Sequence, residues 1–246
     1  MIEHLAITTD DGTCPARVLR PDGDGRWPGV LLYMDGIGMR PAVAALAEHL
    51  ASAGYVVLLP DVFYRAGAYT APDPKQLFAS EDARKAHFAR FSSPTFMADA
   101  MRDTRAYLAH LAGRTDVRDG KQLGVVGYCM GGRLALSAAG TFPEHVAAAA
   151  AYHPGGVATD APDSPHLLAP KIRARVYVGG AMEDQSFPDE QKQRLEQALT
   201  AANVDHVIET YPARHGWVPS DTPVHDAAQA ERHWQTLLAL FRATIG

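Results

Sequence analysis

Short, mostly apolar runs alternate with amphipathic stretches along most of the chain. Apolar runs of four to eight residues are typical of strands that are covered on both faces of a parallel sheet. The stretches between them repeat apolar residues at helical spacing, as in Val43, Leu46 and Leu50. This alternation predicts an α/β fold with one mainly parallel central sheet and helices on both faces. The predicted strands of this sheet are 29–34, 55–59, 123–126, 146–152, 175–178 and 204–211.

Turn and capping signals add the remaining elements. Residues 2–8 and 14–20 flank the turn sequence Asp-Asp-Gly, so a β-hairpin is expected to open the chain. Pro41 can begin the first helix, and Ser186 is a candidate N-cap for a helix that starts near Pro188. The other predicted helices are 96–112, 130–139 and a C-terminal helix with Trp234, Leu237, Leu238 and Phe241 at helical spacing.

The alternation is interrupted at about residues 61–95 by a Gly- and Pro-containing segment that leads into a charged helical stretch. We interpret this segment as an excursion over the sheet edge that shapes a substrate site, with a plain surface loop and helix as the alternative. No repeat or linker interrupts the pattern, and we expect residues 1–246 to form a single α/β domain.

Composition and net charge exclude several classes of protein. The 246 residues include 23 Lys and Arg against 28 Asp and Glu, a net charge of −5. Such a chain has no general attraction for nucleic acid or anionic membranes. Two cysteines cannot build a disulfide framework, and no apolar run is long enough to span a bilayer. A cytoplasmic protein without nucleic-acid or membrane partners is therefore expected.

The strongest chemical motif is Gly127-Tyr-Cys129-Met130-Gly131, which follows a predicted strand and begins a predicted helix. It matches the Gly-x-Ser-x-Gly nucleophile elbow with cysteine in place of serine. At a helix N-terminus the dipole favours a Cys129 thiolate, and the Met130 N–H is expected to face a developing oxyanion. The alternative is a buried structural thiol that lies between glycines by chance.

A nucleophile of this kind needs a base and an acid that orients the base. In α/β-hydrolases the acid and then the histidine follow later strands, and Asp184 and His215 have those positions here. A helix-capping role for Asp184 and a surface-turn role for His215 are the alternatives, and Glu183 is a rival acid. His153 also follows a strand and either lines the site or belongs to a structural turn. No metal-ligand spacing or phosphate loop is present, so no metal or cofactor is expected.

These motifs and the segments Gly29–Asp35, Gly54–Tyr64 and His215-Gly-Trp resemble the dienelactone hydrolase (carboxymethylenebutenolidase) family over nearly the whole chain. The resemblance implies an α/β-hydrolase fold, with Cys129 as nucleophile, His215 as general base and acid, and Asp184 as its orienting partner. It also implies an oxyanion hole from the N–H groups of Met130 and Gly36.

Two positions depart from the family pattern. The family's acid after the third strand, usually Glu, helps to form the thiolate, and here the matching residue is the shorter Asp35. Asp35 therefore either activates Cys129, contacts substrate or caps the turn. The family's substrate-binding arginine after the catalytic histidine is also missing, with Arg65, Arg84 and Arg90 as possible substitutes.

The resulting prediction is a cysteine-dependent hydrolase of a small-molecule lactone or carboxylic ester that acts through an acyl-cysteine. A general esterase or thioesterase with a neutral substrate is the alternative that the missing arginine favours. The alternative outside the enzymes is a non-catalytic binding protein that has a hydrolase fold.

Overall fold

A computed structural model describes residues 1–120 and 122–246 of the chain. Its centre is an eight-stranded sheet in the order β1-β2-β4-β3-β5-β6-β7-β8. β1 and β2 form an antiparallel hairpin, β2 pairs antiparallel with β4, and all other neighbours are parallel. The predicted mainly parallel sheet and the opening hairpin are therefore confirmed. The strands are Ile2–Thr9, Gly12–Leu19, Gly29–Tyr33, Val56–Pro60, Leu123–Tyr128, Val146–Tyr152, Arg175–Ala181 and His206–Tyr211.

Helices cover both faces of the sheet. α4 and α5 contact each other and the central strands on one face, while α1 and α7 lie together on the other, where His49 stacks on Trp234 at 3.9 Å between ring centres. Every residue of β3, β4 and β5 is buried, which explains their apolar runs. The helices α1 to α7 are Pro41–Ser52, Pro74–Ala79, Glu81–Phe91, Phe96–Ala112, Met130–Thr141, Asp189–Ala201 and Ala227–Thr244.

Two local expectations need correction or refinement. Pro188, not Ser186, is the N-cap of α6, which begins at Asp189. The Ser186 N–H instead donates to Asp184 Oδ1 at 2.8 Å, so this segment is a turn closed by the aspartate rather than a serine-capped helix start. The segment 61–95 contains a short 3₁₀ turn and the helices α2 and α3.

The parallel strands all end at the same edge of the sheet, which brings distant parts of the sequence together there. Cys129 follows β5, Asp184 lies shortly after β7, and His215 lies shortly after β8. In the part of the chain that the structure describes, no helix has the length and apolar character needed to cross a membrane.

Candidate active site

Cys129 occupies a strained turn between β5 and α5, with φ +53° and ψ −116°. Positive φ is uncommon for a residue with a side chain and is often found at functional sites. The flanking glycines are required by close packing, because a Cβ on Gly127 would lie 1.9 Å from the Gly131 carbonyl oxygen. A Cβ on Gly131 would in turn lie 2.4 Å from the Met34 carbonyl oxygen. The Gly-x-Cys-x-Gly pattern thus follows from the tight strand-to-helix turn.

The two cysteines have opposite environments. Cys14 on β2 is fully buried and accepts a hydrogen bond from the Tyr107 hydroxyl at 3.2 Å, and burial raises the pKa of its thiol to about 12. Cys129 is partly exposed and lines a cavity. Only the second environment suits a reactive thiol.

His215 is held by Asp184, whose side chain is 1% exposed. The His215 Nδ1–H donates to Asp184 Oδ2 at 2.8 Å, and the other carboxylate oxygen accepts the Ser186 N–H. Because a carboxylate only accepts hydrogen bonds, this contact places a proton on Nδ1 and leaves Nε2 for the cavity. The rival acid, Glu183, is an exposed residue of the same turn.

His215 and Cys129 line the same cavity, which has a volume of about 370 Å³. Burial alone would lower the pKa of His215, but the negative charge on a Cys129 thiolate and hydrogen bonds to Asp184 and Cys129 raise it to about 10. The imidazolium form is thus stabilised next to a thiolate. The structure brings together the three residues that sequence order selected.

The two expected oxyanion donors also lie next to each other. Gly36 follows β3 and Met130 begins α5, and a Cβ built on Gly36 would lie 3.8 Å from the Met130 Cβ. Both residues, together with Cys129, line a second cavity of about 290 Å³. Gly36 and Met130 therefore both border the space beside the sulfur.

Asp35 lines the first cavity, but its hydrogen bonds in the described structure go elsewhere. Its Oδ1 accepts the Ile37 N–H at 3.0 Å, and its two oxygens accept the Arg40 Nη1 and Nη2 groups at 2.6 and 2.8 Å. Arg40 also donates to Asp221 at 2.7 Å and to the Gly38 carbonyl at 3.2 Å. Of the roles considered, this geometry favours the turn cap.

We expect Arg40→Met to lower the free energy of unfolding by about 3–5 kcal/mol, because it leaves the buried Asp35 carboxylate without its counter-charge. The side chains of Arg40 and Asp35 are only 4% and 5% exposed. Asp221→Asn is the matched control: it removes a partner that is 30% exposed, and we expect a loss of about 1 kcal/mol or less. Urea unfolding of both variants checks this, and equal losses would contradict the buried-charge argument.

The 61–95 segment supplies site residues that sequence reasoning did not identify. The His87 Nε2–H of α3 donates to the Gly36 carbonyl oxygen at 3.0 Å, which ties the helix to the oxyanion segment. Phe78 and Phe88 project into the Cys129 cavity although they are 42% and 37% exposed. Hydrophobic periodicity could not have identified them, because α3, which carries Phe88, has no buried residue, and the short α2, which carries Phe78, buries only Pro74 and Leu77.

His153 lines the same cavity as His215, which was one of its two predicted roles. Its ring is 1% exposed and packs edge-on against His215 and Trp217, at 5.1 and 4.9 Å between ring centres. Burial and the neighbouring His215 hold the pKa of His153 well below its usual range. A neutral imidazole therefore supports the His215 ring.

Comparison with known proteins agrees with this geometry. The family model described as "Dienelactone hydrolase family" matches residues 14–245. The chain belongs to the dienelactone hydrolase family. As a member of that family it is a hydrolase acting on carboxylic ester bonds, and the predicted α/β-hydrolase fold is confirmed.

Individual relatives cover most of the chain. It is 28% identical over 243 residues to a protein of Escherichia coli strain K12 named "Putative carboxymethylenebutenolidase", covering 96% of this chain and 85% of that one. It is 29% identical over 211 residues to "Carboxymethylenebutenolidase" of Rhodococcus opacus, covering 82% and 76%. Among solved structures, a "Putative Dienelactone Hydrolase" of Klebsiella pneumoniae has a TM-score of 0.85 and 25% identity, covering 98% of both chains.

Proposed function

We propose that this dienelactone hydrolase family member is a cysteine-dependent hydrolase of a lactone or small carboxylic ester that acts through an acyl-cysteine. The observation that carries this proposal is the arrangement of Cys129 and the Asp184-bound His215 along one cavity. A nucleophile, a base within the same cavity and an acid that fixes the base's tautomer are the parts that acyl transfer requires.

In the first half-reaction the Cys129 sulfur attacks the carbonyl carbon and the carbonyl electrons move to oxygen. The N–H groups of Met130 and Gly36 are the donors for this oxyanion. As the carbonyl re-forms, the bond to the alcohol oxygen breaks and the His215 imidazolium donates its proton to that oxygen. The products are the free alcohol and a thioester on Cys129.

In the second half-reaction neutral His215 accepts a proton from water, and the resulting hydroxide attacks the thioester carbon. The same two N–H groups serve the second oxyanion. When it collapses, the carbon–sulfur bond breaks, and the carboxylic acid and the Cys129 thiolate are released. Asp184 keeps the His215 ring in the tautomer that both halves require.

The arginines near the site and the wall of the cavity bear on the charge of the substrate. No arginine lies directly after His215, in the sequence His-Gly-Trp-Val-Pro-Ser, and two arginines of the 61–95 segment contact residues outside the cavity. Arg65 pairs with Asp103 at 2.8 Å, and Arg90 donates to the Ala68 carbonyl at 2.9 Å. The largely apolar wall of the cavity that Cys129 and His215 share also favours the second candidate, a general esterase or thioesterase with a neutral substrate.

The test is hydrolysis of a dienelactone and of p-nitrophenyl acetate, with Cys129→Ala as the background. We expect the wild type to cleave p-nitrophenyl acetate in a Cys129-dependent manner. Cys129-dependent cleavage of the dienelactone as well would assign the lactone activity, whereas cleavage of the simple ester alone would favour the neutral-ester candidate. No Cys129-dependent turnover of either would contradict the proposal.

A further inference from the structure

Cys129 faces two cavities rather than one. The first, which we call the His215 cavity, contains His215, and the second, the Arg133 cavity, contains Arg133 of α5. Gly36, Phe88 and Cys129 line both, so the Phe88 ring and the sulfur lie at the boundary. The His215 cavity is further lined by Ile37, Phe78, Pro223 and Val224, and the Arg133 cavity by Phe91, Phe96, Met97, Met130 and Asp163.

The chemistry of ester cleavage assigns a different part of the substrate to each cavity. The alcohol oxygen must lie within hydrogen-bond reach of His215, because that residue protonates it as the bond breaks. The alcohol portion therefore occupies the His215 cavity. Around the carbonyl carbon, the sulfur occupies a second direction and the carbonyl oxygen, which faces the oxyanion donors, occupies a third. The acyl chain therefore extends in the remaining direction, into the Arg133 cavity.

The two cavities differ in polarity. The exposed wall around the alcohol portion is largely apolar, although Asp35, Ser186 and Thr222 also line it. The Arg133 cavity has aromatic walls too, but it also contains a guanidinium group whose Nη2 donates to Asp163 Oδ1 at 3.0 Å. The side chains of Arg133 and Asp163 are 25% and 48% exposed, so this pair is open to a ligand.

Arg133 retains unused hydrogen-bonding capacity. The Nη2 group donates to Asp163, and no other hydrogen bond of the guanidinium to a described residue is found, so most of its five N–H donors remain without a partner. Arg133 lies in the first turn of α5, four residues after the N-cap Cys129, a distance of about 6 Å along the helix axis. A carboxylate at the end of a short acyl chain on Cys129 would reach this distance and match the fork geometry of the guanidinium.

We infer that the preferred substrates are esters whose alcohol portion is apolar and whose acyl chain ends in a carboxylate that binds Arg133. This inference rests on the proposed function and adds the division of the substrate between the cavities. The carboxylate belongs to the acid product, so hydrolysis would release a dicarboxylate and an apolar alcohol.

Three esters test which part of the substrate each cavity binds. Phenyl hydrogen adipate has the carboxylate on the acyl side, phenyl hexanoate is its neutral counterpart, and 4-carboxyphenyl hexanoate has the carboxylate on the alcohol side. We expect kcat/KM, after subtraction of the Cys129→Ala background, to be at least tenfold higher for the adipate ester than for phenyl hexanoate. We expect it to be at least tenfold lower for 4-carboxyphenyl hexanoate, although carboxyphenolate is the better leaving group.

The role of Arg133 is tested by the ratio of kcat/KM for the adipate ester to that for phenyl hexanoate. Arg133→Met should lower this ratio at least tenfold, mainly through KM, and Arg133→Lys should retain part of it. Arg173→Met is the matched control, since Arg173 is exposed and pairs with Glu144 on another surface, and its ratio should not change.

The outcomes are distinct. A loss of activity of Arg133→Met toward both esters with an unchanged ratio would mean that Arg133 acts only on the fold. A wild-type preference for the ester with the alcohol-side carboxylate would reverse the assignment of the cavities. Either result overturns this inference and leaves the proposed function standing. Absence of Cys129-dependent turnover of all three esters would overturn both.

Discussion

Cys129→Ala is expected to lower kcat for ester hydrolysis by about 10⁵–10⁶-fold, leaving only the acceleration that the oxyanion donors and binding provide. The methyl group cannot form a thioester, and no neighbouring side chain of the cavity takes over, because His215 is held by Asp184 in a base orientation. The loss concerns chemistry rather than folding. Alanine and cysteine have similar backbone cost at the positive φ of this turn, so the variant should retain the elbow and unfold at a similar urea concentration.

The matched control is the other cysteine. Cys14 lies in the core with a raised pKa, so iodoacetamide at neutral pH should modify Cys129 rapidly and leave Cys14 unmodified. Cys14→Ser should retain hydrolysis in the folded fraction, and a rapidly quenched wild-type reaction should show an acyl mass increase on Cys129. A kcat loss of less than a hundredfold in Cys129→Ala, or an acyl group on another residue, would contradict the nucleophile assignment.

Much of the fold was predictable because its central strands are short, apolar and buried on both faces. The six predicted sheet strands all appear, with shifts of a few residues at their ends, such as β8 beginning at His206 rather than 204. The start of α6 was not predictable in the same way. Ser186 has the composition of an N-cap, but the Asp184 carboxylate accepts its N–H and the helix begins after Pro188.

The catalytic residues were predictable for a topological reason. Residues that follow successive parallel strands meet at one edge of the sheet, so Cys129, Asp184 and His215 could be selected from their order alone. Asp35 was different, because its partner Arg40 is tied to Asp221, which is 181 residues away in sequence. No local sequence pattern indicates that Arg40 pairs with Asp221.

The walls of the site were the least predictable part. Phe78 and Phe88 come from helices that contribute almost nothing to the core, so hydrophobic periodicity carries no information about which face meets the cavity. Arg133 is a partial exception. Its position in the first turn of the predicted helix 130–139, four residues after the predicted nucleophile, was visible in the sequence.

Asp184→Asn is expected to lower kcat by about 10⁴-fold while the fold is retained, because the substitution changes the His215 tautomer. Asp184 Oδ1 accepts the Ser186 N–H, and an amide NH₂ cannot accept it. The asparagine oxygen must therefore stay on Ser186, and the NH₂ group faces His215 Nδ1 as a donor. Nδ1 becomes an acceptor, the ring proton moves to Nε2, and Nε2 can no longer take a proton from Cys129 or water.

Glu183→Gln provides the matched control, since Glu183 is the neighbouring acid in the same turn but is exposed. We expect it to change kcat less than twofold, and both variants should unfold at nearly the wild-type urea concentration. Steady-state kinetics with p-nitrophenyl acetate separates the two residues. A loss below tenfold in Asp184→Asn would mean that another group fixes the His215 ring, and a larger loss in Glu183→Gln would transfer the orienting role to that residue. The expected split follows from burial, since only the carboxylate with 1% exposure can hold the tautomer without competition from water.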